Sequence, residues 1–253
     1  MDQELTDIIT ETITRSVVSH NSSGMYREPL IGFSAADDPL YGEVKTVIGP
    51  WHKYPEEVLP EVKTIISFFI PFSKEVVEAN RAAGPEPARE WVTSYHDCNS
   101  LLDLISEDVA RALRDRDFLA VPIISTGNFD SKRFVAPWSH RSAAFVAGLG
   151  RFGLNRMLIT RKGCAGRYGT VLTSAKLTPT VRNNEEYCLY FAEGTCRYCI
   201  KHCPKQALSE MADQDILRAS CMEQCDRPSP YRPGNASAEC CGKCAVGPCA
   251  YFD

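Results

Sequence analysis

The sequence lacks any apolar run that could cross a membrane. No stretch reaches the roughly 18 to 20 consecutive apolar residues of a membrane-spanning helix. The first residues, MDQELTDIITETITRSVV, have neither the basic nor the apolar region of a secretory signal, and a twin-arginine motif is missing. We therefore expect a cytoplasmic protein with no membrane partner.

The sequence also lacks an excess of positive charge. Its formal net charge is −4 and its isoelectric point is near 5.8, which gives no electrostatic reason to expect general nucleic-acid binding. Hydrophobic residues make up 44% of the chain, as in ordinary globular proteins. The 253 residues are enough for a medium-sized domain and a small one.

Cysteine is scarce in the first 181 residues, which contain only Cys98 and Cys164, and abundant afterwards. In a cytoplasmic protein such crowding indicates metal binding rather than a disulfide framework. The remaining ten cysteines are Cys188, Cys196, Cys199, Cys203, Cys221, Cys225, Cys240, Cys241, Cys244 and Cys249.

The N-terminal part of the chain begins with a predicted helix. Apolar residues recur on one helical face within residues 1–20. From there to Pro60 we expect irregular structure, because proline and glycine recur. The predicted apolar face consists of Ile8, Ile9, Ile13, Val17 and Val18.

Strand and helix patterns alternate in the following residues. The β-branched and aromatic run 62–72 predicts a buried strand, and residues 119–124 predict another. Between them, residues 99–118 predict a helix with Asn99 or Ser100 at its N-cap.

A short helix, capped by Ser139 and ended by glycines, is predicted next. Two strands joined by a glycine-rich turn follow within residues 156–175. Together these patterns predict an α+β fold, with an α/β domain of a sheet flanked by helices over residues 1–181. Residues 182–253 have little periodic apolar pattern, so this small domain must be organised around metal centres.

The stretch CRYCIKHCP, residues 196–204, is typical of an iron–sulfur cluster run. C-x2-C-x3-C closed by proline is the pattern of bacterial ferredoxins, in which the cysteine before proline ligates the other cluster. Glu193 occupies the position of the leading cysteine, and we predict that Cys188 substitutes for it. Pro204 is expected at the first position of a helix.

A second run, CCGKCAVGPC, completes a predicted ferredoxin-like domain with two 4Fe–4S clusters. Its upstream ligand is Cys221 or Cys225. Structural zinc sites are the main competing interpretation, because they also use C-x2-C pairs. Cys225, Cys240, Cys98 and Cys164 are expected to be unligated thiols. The predicted ligands are Cys188, Cys196, Cys199 and Cys249 for one cluster, and Cys203, Cys221, Cys241 and Cys244 for the other.

The segment SHRSAAFVAGLGRFGLNRMLITRKGCAGRYGTVLTSAKL, residues 139–177, resembles the cobalamin-binding segment of the epoxyqueuosine reductase and reductive dehalogenase superfamily. In that superfamily, an AxxAGLGxxGxNxxLIT pattern leads into two 4Fe–4S clusters. Residues 59–74 also resemble its early strand. The resemblance extends over most of the chain after residue 59.

The resemblance implies a cobalamin held between the two domains and reduced by the clusters. An external donor such as ferredoxin or flavodoxin would supply the electrons. Glycines suit this role because backbone must approach a flat macrocycle closely, although a helix end and a tight turn also need glycine. The implied corrin-lining residues are Ala147, Gly148, Leu149, Gly150, Gly153 and Asn155, with Arg141 and Arg167 contacting polar groups of the cofactor.

The chain departs from the family at the general acid. The acidic residue of the epoxyqueuosine reductases falls on Phe134 in an ungapped alignment, or on Ser125 if residues 125–128 are its counterpart. Asp130 and His140 are the candidate catalytic proton donors, the histidine because its ordinary pKa is near neutral. The alternatives are a surface aspartate and a histidine that only begins a helix.

Three functions follow from these features. The first is an anaerobic, oxygen-sensitive, cobalamin-dependent reductase of a small organic substrate. The second is an electron-transfer or activator protein for a corrinoid protein or another enzyme, which the missing acid favours. The third is an epoxyqueuosine reductase acting on tRNA. A helical-repeat tail against tRNA is missing and the charge is acidic, so we expect nucleic acid not to be the substrate.

Overall fold

The computed structural model describes residues 2–126, 129, 130, 132–210 and 216–253. These residues form a mixed architecture of helices and strands, as the sequence predicts. Antiparallel pairs join Leu30–Ala35 to Thr64–Pro71, Ala120–Ile123 to Gly166–Thr173, and Gly150–Phe152 to Leu158–Thr160. None of the helices in the described ranges is long and apolar enough to cross a membrane.

The secondary structure elements are numbered in chain order. The helices are α1 (Asp2–His20), α2 (Leu40–Ile48), α3 (Lys74–Ala82), α4 (Arg89–Arg114), α5 (His140–Val146), α6 (Leu189–Glu193), α7 (Tyr198–Lys201) and α8 (Arg218–Cys225). The strands are β1 (Leu30–Ala35), β2 (Thr64–Pro71), β3 (Ala120–Ile123), β4 (Gly150–Phe152), β5 (Leu158–Thr160) and β6 (Gly166–Thr173). Short 3-10 helices cover Pro55–Glu57, Pro233–Asn235 and Lys243–Ala245.

The chain divides into two compact units. Unit 1 consists of Met1–Ile70, Cys98–Leu149 and Arg167–Asn184. Unit 2 consists of Pro71–Asp97, Gly150–Gly166 and Glu185–Asp253. It contains all ten cysteines from Cys188 to Cys249, together with Cys164. The predicted domain boundary between residues 181 and 182 stays a prediction.

The larger sheet has four strands in the order β1-β2-β6-β3. β1 pairs antiparallel with β2, with Leu30 opposite Phe69, and β3 pairs antiparallel with β6. Every residue of β2 is buried, which explains its mostly apolar sequence. Phe69 stacks on Tyr168 of β6 with ring centroids 4.4 Å apart. The buried strand predicted over residues 62–72 is confirmed; a strand also exists within residues 119–124, but β3 is only half-buried, so the expected burial was wrong there.

The core of unit 1 packs α2 and α5 against one another and against buried residues of the sheet. Trp138 lies at its centre, with its ring 6.3 Å from that of Tyr41 and 5.8 Å from that of His52. Ser139 caps α5, because its Oγ accepts a hydrogen bond from the Ser142 amide at 3.2 Å. This cap confirms the predicted start of the helix.

Two predictions in the first half of the chain need correction. Helix α4 begins ten residues before Asn99, at Arg89, because Trp91 and Val92 continue its buried face without a break. Asn99 and its neighbour therefore lie inside the helix and cap nothing. The stretch before Pro60 is not irregular, since it contains β1, α2 and a 3-10 helix.

Smaller corrections concern the two ends of the chain. Val18 is 71% exposed, so it lies off the buried face of α1. Pro204 does not begin a helix and lies in a turn, so this expected support for a ferredoxin run is missing. The strands predicted within residues 156–175 exist, but β5 pairs with β4 in a separate two-stranded sheet. That residues 182–253 form a ferredoxin-like domain stays a prediction.

Candidate metal centre

Four cysteines of unit 2, the first cysteine group, line one cavity. Its other lining residues include Leu154, Asn155, Tyr198 and Cys244. Burial raises the pKa of the Cys199 thiol to about 12, and the other thiols of the group add to this effect. The first cysteine group consists of Cys188, Cys196, Cys199 and Cys249.

The other four predicted ligands, the second cysteine group, also influence one another electrostatically. Burial is the main reason for the raised pKa of Cys241 and of Cys244, and neighbouring thiols of the group raise both further. Cys225 is next to this group, because its thiol forms a hydrogen bond with that of Cys221, which raises the pKa of Cys225 strongly. The second cysteine group consists of Cys203, Cys221, Cys241 and Cys244.

Helix α8 explains why two thiols compete for one place in the second group. Cys221 and Cys225 are four residues apart on this helix, so both lie on the same face. Cys225 also lies near Cys241 and Cys240, whose charges contribute to its raised pKa. The alternative between Cys221 and Cys225 as ligand therefore remains open, and Cys225 is a neighbour of the site in either case.

Backbone amides already donate to thiols of both groups. The Leu154 amide lies 3.5 Å from Cys188 Sγ, and the Ala207 amide lies 3.2 Å from Cys203 Sγ. Such donors favour the thiolate form, which is the form that binds metal. The surroundings of these two sulfurs therefore suit cluster ligands.

A buried polar clamp fixes the loop that carries the last cysteines. Lys243 is only 5% exposed, and its Nζ donates to the carbonyl oxygens of Asn80 at 2.6 Å and Ala83 at 3.1 Å. Burial lowers the pKa of Lys243. Asn80 is fully buried and donates from Nδ2 to the Cys241 carbonyl oxygen at 3.1 Å. Helix α3 thus holds Cys241 through Asn80.

Two kinds of metal centre use cysteine ligands in C-x2-C pairs, a single zinc ion and an iron–sulfur cluster. Among residues 2–126, 129, 130, 132–210 and 216–253, no three His, Cys, Asp or Glu side chains converge tightly enough to hold one ion. A tetrahedral zinc site needs four ligand atoms about 2.0 to 2.3 Å from one metal. In a 4Fe–4S cluster, four cysteines bind separate irons and surround a larger group. The ligand assignment itself stays a prediction.

The two predicted proton donors occupy different surroundings in unit 1. Asp130 is exposed, and its carboxylate accepts hydrogen bonds from the amides of Lys132 at 2.9 Å and Arg133 at 3.1 Å. His140 lies within hydrogen-bond distance of Thr170 Oγ1 at 2.9 Å and the Ile124 carbonyl oxygen at 3.2 Å. The carbonyl requires Nε2 to be the protonated nitrogen of the neutral ring.

Burial lowers the pKa of His140 to about 4, with Arg167 among the smaller causes. At neutral pH the ring is therefore uncharged and both its nitrogens are engaged. Phe134, at the family's acidic position, has a positive φ of 57°. In the alternative counterpart 125–128, Gly127 and Asn128 lie outside the described residues. The assignment of Asp130 and His140 as catalytic groups stays a prediction.

The predicted corrin-lining residues are divided between the two units. Five are in unit 1 and three are in unit 2. In unit 1, Arg167 Nε donates to Asn99 Oδ1 at 2.9 Å, and a Cβ at Gly148 would lie 2.9 Å from the side chain of Arg182. Arg141 also has partners within the chain. The unit 1 residues are Arg141, Ala147, Gly148, Leu149 and Arg167; those of unit 2 are Gly150, Gly153 and Asn155.

The glycines of this segment pack against the chain itself. In unit 2, a Cβ at Gly150 would clash with the Ile159 carbonyl, and one at Gly153 would clash with the Ile159 side chain. In unit 1, the Leu149 side chain fills the space beside Gly32. Close packing therefore accounts for the lack of a side chain at these glycines.

The sequence indicated the cysteines but missed Asn80 and Lys243, together with the surroundings of Cys164. Lys243 lies between Cys241 and Cys244 in the motif CCGKC. This position in the motif is the sequence feature that could have indicated a role for Lys243 at the site. Asn80 lies about 160 residues earlier on α3 and carries no motif. Its role depends on the tertiary fold.

Comparisons with known proteins agree with the fold and with the predicted resemblance. No family model matches the chain. A protein named epoxyqueuosine reductase from Gloeobacter violaceus is 28% identical over 217 residues, which are 83% of this chain and 60% of that protein. This chain therefore spans less than two thirds of the length of that relative.

Solved structures share the fold. The structure of epoxyqueuosine reductase from Streptococcus thermophilus aligns with a TM-score of 0.59 and 18% identity over 94% of this chain and 65% of that one. An epoxyqueuosine reductase crystallised with an epoxyqueuosine-modified tRNA stem loop aligns with a TM-score of 0.55 and 20% sequence identity. The alignment covers 96% of this chain and 68% of the reductase chain. The reductive dehalogenase NpRdhA, solved with 3-bromo-4-hydroxybenzoic acid, aligns with a TM-score of 0.57 and 16% sequence identity. The alignment covers 88% of this chain and 30% of the dehalogenase chain. The predicted likeness to this superfamily is confirmed.

Proposed function

We propose that this chain is an iron–sulfur reductase of the epoxyqueuosine reductase type, acting on an epoxide of a modified nucleoside in tRNA. The observation that supports it most is the first cysteine group around one cavity of unit 2, in a chain similar to a protein named epoxyqueuosine reductase over 83% of its length. A small ferredoxin-like domain and a cytoplasmic location are part of the proposal.

The comparisons change the order of the predicted functions. The sequence placed a small organic substrate first and considered nucleic acid unsuitable. The similarity to epoxyqueuosine reductases, one of them solved with a modified tRNA stem loop, favours the tRNA alternative.

The residues of unit 2 fit two 4Fe–4S clusters, which would supply single electrons when bound. The first and second cysteine groups would hold them, and the amides of Leu154 and Ala207 would stabilise the Cys188 and Cys203 thiolates. Reductive removal of an epoxide oxygen consumes two electrons and two protons and releases water. Asp130 is the proposed route for these protons, because its exposed carboxylate can take up a proton from solvent and pass it on, whereas both nitrogens of the His140 ring are engaged.

Cobalamin is the remaining part of the predicted cofactor set. The family resemblance implies it, but the glycines at positions 148, 150 and 153 pack against the chain's own atoms. We therefore derive no step through a corrinoid. Equilibrium dialysis of the cluster-loaded protein against cobalamin, with visible absorption as the readout, tests whether this cofactor binds.

Turnover of an epoxyqueuosine-modified tRNA stem loop tests the proposed activity. The reconstituted protein is incubated with dithionite and the stem loop under exclusion of oxygen, and the nucleosides are analysed by mass spectrometry. We expect product that has lost one oxygen atom, and none with a Cys196→Ser variant. Full iron content without any conversion would contradict the proposed substrate. Repeating the assay after exposure to air tests the predicted oxygen sensitivity.

An electron-transfer or activator protein is the second candidate. Two observations favour this candidate. Phe134 stands where the family has its acidic residue, and both ring nitrogens of His140 already have hydrogen-bond partners. This candidate predicts that the protein passes electrons to a separate acceptor protein and converts no modified nucleoside. Both functions require electron transfer from an external donor to the clusters. Stopped-flow absorption measures the rate of this step with ferredoxin or flavodoxin as the donor.

A further inference from the structure

Two buried polar side chains of unit 2 contact the sulfur of Cys249. Cys164 is fully buried, and its Sγ lies 3.9 Å from Cys249 Sγ. Asn155 is 3% exposed, and its Nδ2 lies 3.9 Å from the same sulfur and 3.7 Å from Cys164 Sγ. The sequence predicted a corrin-lining role for Asn155 and an unligated thiol for Cys164, so neither was connected to a cluster.

The orientation of Asn155 is fixed on three sides. Its Oδ1 accepts a hydrogen bond from the Met157 amide at 3.0 Å, so the oxygen is directed away from the sulfurs. Its Nδ2 donates to the Cys244 carbonyl oxygen at 3.0 Å, which leaves the second N–H for the two thiols. Asn155 thus approaches one member of each cysteine group.

The position of Cys164 is fixed by the backbone. Its amide donates to the Cys249 carbonyl oxygen at 3.0 Å, and the next amide, that of Ala165, donates to Ala250 at 3.1 Å. These two bonds hold the two short segments side by side. The Cys164 thiol therefore remains beside Cys249 without depending on its own weak hydrogen bond.

Hydrogen bonds to ligand sulfurs change the reduction potential of an iron–sulfur cluster. They are stronger when more negative charge resides on the sulfur, which happens on reduction, so each donor makes reduction easier. A buried donor has a larger effect than an exposed one, because the local dielectric constant is low. Cys164 and Asn155 are both buried.

We propose that Cys164 and Asn155 are positioning residues that donate hydrogen bonds to the Cys249 thiolate and raise the reduction potential of the cluster held by the first cysteine group. The inference depends on the proposed function only in requiring that this cluster forms. It assigns the Asn of the glycine-rich segment to the cluster rather than to a corrinoid. The cluster of the second group is the internal reference for the Cys164 variants, because Asn155 also contacts Cys244 of that group.

A redox titration of the cluster-loaded full chain, followed by electron paramagnetic resonance, tests the proposal. In Cys164→Ala the donor is lost, and we expect one of the two cluster potentials to fall by about 59 mV, equivalent to a tenfold smaller equilibrium constant for its one-electron reduction. Cys164→Ser retains a donor and should stay closer to the wild-type potential. Cys98→Ala is the matched control, because it removes an equally buried thiol of unit 1.

Asn155→Leu provides a second, independent test if Cys164→Ala does not retain its iron. It removes the amide donor at similar volume, and the same potential should fall. Unchanged potentials in both donor-free variants at full iron content would overturn the proposal, as would an equal shift in Cys164→Ser and Cys164→Ala. Wild-type protein that binds no iron would instead contradict the proposed function and remove the basis of this inference.

Discussion

Replacing Asn80 with alanine should destabilise unit 2 strongly, because this side chain satisfies two otherwise unpaired backbone groups. Its Nδ2 donates to the Cys241 carbonyl oxygen at 3.1 Å, and its Oδ1 accepts from the Ala88 amide at 2.9 Å. Asn80 itself is fully buried. Lys243 Nζ, 3.3 Å from Oδ1, keeps its bonds to backbone carbonyls after the substitution.

The magnitude follows from these contacts. A buried backbone group that loses its partner costs about 1 to 3 kcal/mol, so the two groups together cost about 2 to 6 kcal/mol. This is a large fraction of the total stability of a typical protein, which is about 5 to 15 kcal/mol. Because Cys241 is one of the groups affected, cluster retention in the second cysteine group should also fall.

Urea unfolding of the cluster-loaded protein, under exclusion of oxygen, measures the predicted loss of free energy. Asn80→Asp is the matched variant, since its buried carboxylate still accepts from Ala88 and can pair with Lys243 Nζ, which lies 3.3 Å from Oδ1, but loses the donor to Cys241. We expect Asn80→Asp to be destabilised less than Asn80→Ala, and iron content after reconstitution to follow the same order. A loss below about 1 kcal/mol for Asn80→Ala would refute the reasoning, because one unpaired group alone costs that much.

Three further predictions concern backbone geometry, pH and ligand choice. Gly163→Ala should lower the melting temperature more than Gly194→Ala. Both glycines have a positive φ, but only at Gly163 would a Cβ clash with the Ala250 carbonyl oxygen. Equal melting temperatures would contradict this. Because the pKa of His140 is lowered to about 4 from 6.5, the unfolded chain binds a proton between these values that the folded chain does not. Stability should therefore fall by up to about 3 kcal/mol as pH falls through this window, and His140→Gln should flatten the dependence measured by urea unfolding. Cys225→Ser should retain all iron; a loss of about half would make Cys225 a ligand.

Much of the fold could be predicted where the local pattern is strong. The mostly apolar sequence of β2 and the Ser139 cap of α5 are encoded in adjacent residues, and both elements were predicted correctly. The start of α4 was misplaced because residues with good N-cap chemistry, Asn99 and Ser100, occur inside the helix. Tertiary packing of Trp91 and its neighbours overrode that local signal.

The candidate site was predictable only where spacing encodes it. C-x2-C-x3-C indicates cluster ligands without any knowledge of the fold. The environment of each sulfur cannot be predicted from local spacing. Asn155 and Cys164, which contact Cys249, are separated from it by 94 and 85 residues of sequence. The glycines near residue 150 suggested a ligand, whereas contacts such as that of Gly150 with Ile159 explain them by packing. No local pattern distinguishes these two reasons for a glycine.

The number and type of metal atoms bound per chain test the central claim most directly. After anaerobic reconstitution, elemental analysis with electron paramagnetic resonance should find about eight irons per chain, four for each cysteine group. A variant lacking Cys196 should lose the signal of one cluster while that of the other persists. Stoichiometric zinc with no bound iron would contradict the account.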